Sequence, residues 1–381
     1  MKNSVLVFVL VVGMLCAAGS EAQFSGPTLP PNGDNQKASV SQWIGLVKVN
    51  VTYNSPDVTS PAGEDRTGKI WGELVPYGMS NLGFGTCGDD CPWRAGANQN
   101  TVFKVSHDVL IEGQPLMAGT YGLHMIPGEE GWTIIFSNNH TSWGSFTYDE
   151  SEDALRVVVK AQASEFHEWL TYEFTDRQPS QATVALKWEN LQVPWTITIP
   201  SITDLYMEAV RNDLRNDAGF TYMGYNAAAQ YAFGEQANLE EGLTWAEAAV
   251  GMPFIGQENF TTLSTLAQLQ EANGMAEEAA ATLDKAIHHP ATTVFQIHQL
   301  GRQMIAEGKP EKAMEVFEYN AETHPDTWPI NVGLARGLSA LGRYGEAIPY
   351  CEKAIQNAPD DLNRNNLQNL MEQLKEGKDI N

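Results

Sequence analysis

LARGLSALGRYGEAIPYCEKAIQNAPDD, residues 334–361, decides the architecture of the second half of the chain. Its landmarks return every 34 residues along the sequence. The repeated positions are the glycines Gly274, Gly308 and Gly342, the alanines Ala279, Ala313 and Ala347, and the prolines Pro325 and Pro359. Glycine favours the turn that ends one helix, alanine lets a second helix approach closely, and proline stops that second helix. The spacing therefore predicts a helix pair that repeats along the chain.

This unit resembles the tetratricopeptide repeat, with Tyr344, Ala347, Ala354 and Pro359 at signature positions. We predict three clear repeats and one degenerate repeat within residues 223–359, after a connecting helix at 201–222. Residues 360–381 would form the polar capping helix and tail that such a solenoid needs. Stacked repeats form a concave surface, so a protein or peptide partner is expected there. Its cationic candidates are Arg302, Arg336 and Arg343.

Residues 38–200 have a different periodicity. Short runs in which apolar and polar residues alternate are separated by clusters of Gly, Pro, Asn and Asp. The runs cover residues 46–54, 101–106, 120–126, 132–137, 155–161, 169–176, 182–188 and 195–199. This pattern is typical of an antiparallel β-sandwich or barrel. The chain is therefore expected to be multidomain, with an all-β domain followed by an all-α helical solenoid.

Residues 38–199 resemble a family of exported bacterial proteins known as domain of unknown function 2911. The resemblance rests on ASVSQWIGLVKVNVTYNSPDV, IWGELVPYG, WRAGANQNTVF, HDVLIEGQPLMAGTYGLHMIPG, TSWGSFTYDE and HEWLTYEFTD, which occur in this order. The family form of one motif is closer to WRTGANEAT; here Ala95 replaces the threonine, and Gln99 and Asn100 replace Glu-Ala. Family members often carry a tetratricopeptide tail. The resemblance implies an exported sandwich followed by a solenoid, and it implies no reaction.

Residues 1–22 have the pattern of a signal peptide. Lys2 precedes an apolar run from Val5 to Ala18, and the small residues Ser20 and Ala22 follow it. We expect cleavage near Ala22, export to the periplasm or the exterior, a linker at 23–37, and no transmembrane segment in the mature chain. With 23 basic against 47 acidic residues the net charge is −24, which excludes nucleic acid as a partner.

Cys87 and Cys91 lie in the turn sequence CGDDC. Two cysteines this close, in an exported chain, predict a small-loop disulfide. Half of a metal site is the other interpretation, but no second cysteine or histidine pair with ligand spacing follows.

The segment CPWRAGANQNT, residues 91–101, is the candidate ligand loop of the first domain. Trp93, Arg94, Asn98 and Thr101 offer an aromatic face, a forked cation and two polar groups on a permissive backbone, which suits an anionic or sugar ligand. A structural role is the other interpretation. Arg94 would then satisfy loop carbonyls or pair with Glu73 or Asp108, while Asn98 and Thr101 cap the turn.

Two further hypotheses concern the first domain. If their strands are neighbours, His124, His167 and Glu168 form a two-histidine, one-carboxylate set for a divalent metal, and the protein is a metal-dependent enzyme. Trp143 and Trp169 are the surface candidates for stacking on sugar rings in a carbohydrate-binding module, whereas Trp43, Trp188 and Trp195 are expected to fill the core. No serine or cysteine has an evident base, and no cofactor is predicted. The favoured interpretation is an exported, non-enzymatic binding or scaffold protein.

Overall fold

A computed structural model describes residues 35–325 and 327–381 of the chain. The predicted signal peptide at 1–22 and residues 23–34 of the predicted linker lie outside the described residues. The chain divides into two compact units, one that ends at Pro200 and one that begins at Ser201. Among the described residues, no helix has the length and apolar character needed to cross a membrane.

The first unit consists of two antiparallel sheets. The strands are β1 (Gln36–Ile44), β2 (Val47–Ser55), β3 (Thr101–Val105), β4 (Val109–Ile111), β5 (Gln114–Leu116), β6 (Gly119–Ile126), β7 (Trp132–Ser137), β8 (Asp153–Val159), β9 (Gln162–Thr175) and β10 (Gln181–Thr198). One sheet has the order β1-β2-β3-β6-β7-β8, and the other has the order β5-β4-β10-β9. The predicted all-β antiparallel fold is confirmed.

Sequence periodicity missed three strands and divided one. β1 begins at Gln36, inside the segment 23–37 that was expected to be a linker. Its sequence QKASVSQWI is largely polar because it is an edge strand, and it is defined by its pairing with β2 rather than by apolar alternation. β4 and β5 have three residues each, too few to show a period. The runs at 182–188 and 195–199 are one strand, β10, which continues through register shifts around Glu189.

The core of the first unit lies between apolar side chains of both sheets. Fully buried members include Val49, Val51, Phe103, Leu123, Ile134, Leu170, Val184 and Leu186. Trp188 and Trp195 are buried, as expected. The expectation for Trp43 is wrong: its side chain is 56% exposed on the edge strand β1, where the Nζ atom of Lys48 lies 4.8 Å from the ring centroid.

The second unit is an array of helix pairs. The helices are α1 (Ile202–Asp213), α2 (Tyr222–Gly234), α3 (Leu239–Gly251), α4 (Phe260–Ala272), α5 (Ala276–Ile287), α6 (Val294–Ala306), α7 (Pro310–Thr323), α8 (Trp328–Ala340), α9 (Tyr344–Gln356) and α10 (Asp361–Lys375). α2 to α9 form four consecutive pairs, with α1 before them and α10 after them. The predicted all-α solenoid is confirmed.

The repeat landmarks occupy equivalent places in successive pairs. Gly274, Gly308 and Gly342 have φ angles of +80°, +73° and +72°, so each turn uses the left-handed conformation that glycine tolerates best. Ala279, Ala313 and Ala347 are buried at the contact between the two helices of a pair. Pro325 follows the end of α7, and Pro359 follows the end of α9.

Phe317 holds three helices together because its ring lies where glycines leave room for it. A Cβ atom placed on Gly301 of α6 would lie 2.5 Å from the ring, and one on Gly333 of α8 would lie 2.6 Å from it. The ring itself is 1% exposed. The close approach of α6 and α8 to α7 therefore depends on the absence of side chains at these positions.

We expect Gly301→Ala to lower the free energy of unfolding by about 1–3 kcal/mol, because the new methyl group overpacks against Phe317. Gly345→Ala is the matched control, since a Cβ atom there meets nothing within 4 Å and alanine favours a helix. Urea denaturation followed by circular dichroism measures both changes. Equal unfolding midpoints for the wild type and Gly301→Ala would show that the array absorbs the methyl group without cost.

Candidate ligand-binding cavity

The loop from Pro92 to Asn100 is fixed to two strands by backbone hydrogen bonds. The N–H of Trp93 donates to the carbonyl of Met125 on β6, and the N–H of Met125 donates back to Trp93, both at 2.8 Å. The N–H of Ala97 donates to the carbonyl of Asn54 on β2 at 3.1 Å. Ala95 and Asn98 have φ angles of +51° and +56°. The strands thus hold the loop in a conformation that L-residues rarely adopt.

Thr101 and the backbone of Asn54 leave no room for a side chain at Gly96. A Cβ atom on Gly96 would lie 2.7 Å from Oγ1 of Thr101 and 3.1 Å from the carbonyl oxygen of Asn54. The Thr101 hydroxyl is fully buried and donates to the carbonyl of Ala95 at 3.0 Å. The same carbonyl accepts from the hydroxyl of Tyr172 at 2.8 Å. Thr101 is therefore a structural residue, and its assignment as a ligand residue is wrong.

Arg94 caps a carbonyl of its own loop. Its Nη1 atom donates to the carbonyl of Asn98 at 2.7 Å, and its guanidinium lies 4.7 Å from the ring centroid of Phe146. Within the described ranges no carboxylate lies within 4 Å of it, so neither Glu73 nor Asp108 is its partner. Burial lowers the pKa of Arg94 because water solvates its charge less well. Arg94 is thus a half-buried cation that has no counter-ion among the residues that the structure describes.

A cavity of about 410 Å³ opens beside this loop. Trp93, Arg94 and Asn98 form one wall, together with Trp188. Leucines and prolines contribute part of the remaining lining, namely Leu74, Leu82, Pro56, Pro61, Pro76 and Pro92. The volume and the mixture of an apolar lining with a few polar groups are typical of a small-molecule site.

Arg66 is a second cation in this cavity, but it already has partners. Its Nη2 atom donates to the backbone carbonyl of Asp57 at 2.7 Å and lies 3.7 Å from the carboxylate of the same residue. Its Nε atom donates to the carbonyl of Val58 at 3.1 Å. Of the two arginines that line the cavity, Arg94 therefore has the less compensated charge and is the better partner for an anionic group.

Four tryptophans make the aromatic wall rigid. The ring of Trp71 meets those of Trp93, Trp132 and Trp188 edge to face, with centroid distances of 5.8, 5.2 and 5.6 Å. Trp93 and Trp188 lie nearly parallel, with centroids 6.4 Å apart. The offset and edge-to-face arrangements are those that aromatic pairs prefer. Trp71 comes from the region between β2 and β3, where no strand period points to it, and its role was missed in the sequence.

The predicted Cys87–Cys91 disulfide is present. Its loop is attached to the segment that also contacts Arg94, because the N–H of Thr86 donates to the carbonyl of Phe146 at 2.7 Å. The ring of Phe84 stacks on that of Phe146 with a centroid distance of 4.1 Å. The disulfide loop thus supports the residue over which the guanidinium of Arg94 lies.

The predicted metal set is not assembled. His124 lies on β6 of the six-stranded sheet, whereas His167 and Glu168 lie on β9 of the other sheet, so their strands are not neighbours. The Nδ1 atom of His124 is 2.8 Å from the hydroxyl of Ser145, and Oε1 of Glu168 accepts from the N–H of Thr59 at 2.8 Å. Over residues 35–325 and 327–381, no three His, Cys, Asp or Glu side chains converge in a way that could hold a metal ion.

Trp143 and Trp169 are both on the surface, with exposed fractions of 57% and 62%. Trp169 borders a neighbouring cleft of about 330 Å³ that is lined mainly by polar residues, including Lys37, Asp57 and Thr171. A flat aromatic face beside polar groups is compatible with sugar stacking. The carbohydrate hypothesis stays a prediction.

Comparisons with known proteins agree with this architecture. Residues 35–197 match the family described as "Protein of unknown function (DUF2911)", and residues 330–361 match a tetratricopeptide repeat. The resemblance and the order of the two parts are thereby confirmed. A TPR repeat-containing protein of Bacillus subtilis, YpiA, is 40% identical over 63 residues. That match covers 16% of this chain and only 15% of the length of YpiA.

Two solved structures are similar to the second unit. A tetratricopeptide repeat protein from Parabacteroides merdae is 18% identical, and the match covers 46% of this chain and 69% of that one with a TM-score of 0.31. The protein TTC0263 from Thermus thermophilus is also 18% identical, with 45% of this chain and 90% of that one covered and a TM-score of 0.31.

We expect the first unit to lose stability as the pH falls from about 6.5 to about 4. Burial, and then the charge of Arg94, lower the pKa of His124 to about 4, against roughly 6.5 in an unfolded chain. Between these values the unfolded state binds a proton that the folded state does not, so stability is greatest above pH 6.5 and falls by roughly 3 kcal/mol through this window.

Urea unfolding followed by tryptophan fluorescence tests this, since eight of the ten tryptophans lie in the first unit. His124→Gln should flatten the slope of unfolding free energy against pH in this window. His107→Gln, which changes an exposed histidine of the same unit, is the control and should keep the slope. Unchanged slopes in both variants would contradict the assignment to His124.

Proposed function

We propose that this protein is an exported, non-enzymatic binding protein, in which the first unit holds a small ligand and the second unit binds a protein or peptide. The observation that carries the first part is the cavity of about 410 Å³ with Trp93, Arg94 and Asn98 in its wall. A rigid aromatic wall offers apolar contact, and Arg94 offers a charge that no carboxylate of the described residues approaches within 4 Å. The ligand class is therefore a small molecule with an apolar body and an anionic group.

Export is supported by two features of the sequence and structure. Residues 1–22 combine a basic residue, an apolar run and small residues before Gln23. The Cys87–Cys91 disulfide is the form expected of cysteines in an oxidising compartment. Both features favour the periplasm or the exterior as the working location.

Interaction through the second unit is supported by its repeat architecture. Four consecutive helix pairs with a tetratricopeptide match at 330–361 give an extended surface on which a partner segment can lie. Phe295 in the first turn of α6 is 57% exposed, and an exposed aromatic side chain at a repeat helix is a natural anchor for a partner.

The cavity is tested with anilinonaphthalene sulfonate, an apolar fluorescent anion. We expect the chain lacking residues 1–22 to bind this dye with a rise in its fluorescence. Leu74→Asp should weaken binding about tenfold or more, because a carboxylate makes the cavity more polar and repels the sulfonate. Leu46→Asp is the control, since Leu46 and Leu74 are 39% and 46% exposed but only Leu74 lines the cavity. Equal binding by both variants would place the dye elsewhere.

The interaction role is tested by cross-linking capture from envelope extracts of the cells that make the protein. We expect a protein partner that is captured by the wild type and by Phe166→Ala but lost with Phe295→Ala. Phe166 is 49% exposed on β9, so the control removes a comparable aromatic side chain from the first unit. A partner captured equally by all three chains would not bind through α6, and no partner at all would contradict the role of the repeats.

A further inference from the structure

The chain after α10 folds back onto α8. Gly377 has a φ angle of +70°, and the N–H groups of Gly377 and Lys378 donate to the carbonyls of Leu374 and Gln373 at 3.0 and 2.9 Å. This turn ends α10 and reverses the direction of the chain. It places residues 379–381, the tail segment, against the C-terminal half of α8.

α8 binds the backbone of the tail segment with two side chains one turn apart. The hydroxyl of Ser339 donates to Oδ1 of Asp379 at 2.7 Å and accepts from the N–H of Ile380 at 3.1 Å. Nη1 of Arg336 donates to the carbonyl of Ile380 at 2.7 Å. The amide of Asn381 donates to the carbonyl of Arg336 at 3.1 Å. Both backbone polar groups of Ile380 are therefore satisfied by α8.

Ile380 anchors the tail segment in an apolar depression. Its side chain is 5% exposed and packs in the same cluster as Val332, Ala335 and Leu338 of α8 and Leu374 of α10. An aliphatic side chain in a pocket, flanked by hydrogen bonds to the peptide backbone, is the arrangement by which proteins bind extended segments.

The surroundings of this pocket are basic in an otherwise acidic chain. Arg302 on α6 lies close enough to Arg336 on α8 for its charge, after the effect of burial, to lower the pKa of Arg336. In the part of the chain that the structure describes, neither arginine has a carboxylate within 4 Å. His298 lies beside them and is uncharged at neutral pH, because burial, and then both arginines, lower its pKa to about 4. The positive charge at this place thus comes from the two arginines.

We propose that Arg302, Arg336, Ser339 and the depression that receives Ile380 form a peptide-binding site, the α8 site, and that residues 379–381 are its intramolecular ligand. The partner is an extended segment of another protein that carries an acidic residue, an aliphatic residue and an amide residue in this order, as Asp379, Ile380 and Asn381 do. This inference rests on the proposed interaction role of the repeats. It adds the position of the site, the chemistry of the partner and a built-in competitor.

We expect the tail segment to be displaceable because, within the described residues, its hydrogen bonds outside itself go only to α8. Its attachment to α10 through a few residues gives it a high effective concentration at the α8 site, in the millimolar range for short flexible linkers. A partner segment must compete with that concentration. The intact chain should therefore bind weakly, and removal of the tail should strengthen binding.

Fluorescence anisotropy with a labelled peptide of sequence KEGKDIN, residues 375–381, tests the proposal. We expect a chain that lacks residues 379–381 to bind the peptide about tenfold or more tightly than the intact chain does. Within the shortened chain, Arg336→Met should abolish binding. Arg211→Met is the matched control, because Arg211 on α1 is exposed and paired with Glu241, and it should leave binding unchanged. A peptide with serine in place of the isoleucine should not bind.

Ile380→Ser in the full chain provides a second route if the shortened chain is unstable, since it should expel the tail while keeping every other residue. Circular dichroism establishes that each variant is folded. A folded, tail-free chain that does not bind the peptide at millimolar concentration would overturn the proposal, and the tail would then be only a packed end of the array. A concentration-dependent dimer that is lost with the tail would also overturn it, because the site would then receive a second copy of this chain.

The capture experiment separates failure of this inference from failure of the interaction role. A partner captured equally by the intact and the tail-free chain, and not released by KEGKDIN, would leave the interaction role in place and overturn the α8 site. A partner captured more strongly by the tail-free chain and released by KEGKDIN would support both.

Discussion

Both units depend on close approaches of the chain that leave no room for a side chain. In the first unit, Gly96 lies against the carbonyl of Asn54 and the hydroxyl of Thr101, which lets the loop before β3 close over the sheet. In the second unit, Gly301 and Gly333 admit the ring of Phe317 between helices. A methyl group at these places has nowhere to go in a close-packed interior. The loop that forms the cavity wall and the packing of α6 and α8 on α7 both require glycine at these positions.

The sequence predicts the repeats well because their determinants are local and periodic. The turn at Gly342, the close helix contact at Ala347 and the helix end before Pro359 each depend on a few neighbouring residues. Their recurrence every 34 residues makes the pattern easy to recognise. The sandwich is predicted less completely. Long strands such as β9 show alternation, whereas β1 is a polar edge strand and β4 and β5 are too short to show any period. Their pairing is a long-range property.

The candidate site also depends on long-range contacts that the sequence does not show. The motif around Trp93 and Arg94 is visible in the sequence, and those residues do line a cavity. Which of them face it is decided by distant partners: Tyr172 and Thr101 share the Ala95 carbonyl, so Thr101 turns inward. Dependence on distant contacts also explains why the predicted metal set is not assembled. His124 and Glu168 lie on strands of different sheets, and the local sequence around a strand does not show which sheet the strand joins.

Charge distribution connects the two candidate sites. In a chain with a net charge of −24, several cations have a carboxylate within 4 Å, as Arg343 has Glu346 and Arg211 has Glu241. Arg94 and Arg336 instead are partly buried and donate to backbone carbonyls, of Asn98 and Ile380 respectively. A carbonyl satisfies a hydrogen-bond donor but leaves the charge largely uncompensated. Arg94 thus keeps an attraction for an incoming anionic group, whereas the charge of Asp379 in the tail segment already acts on Arg336. Each arginine lies beside an apolar surface that would hold the rest of the ligand under our proposals.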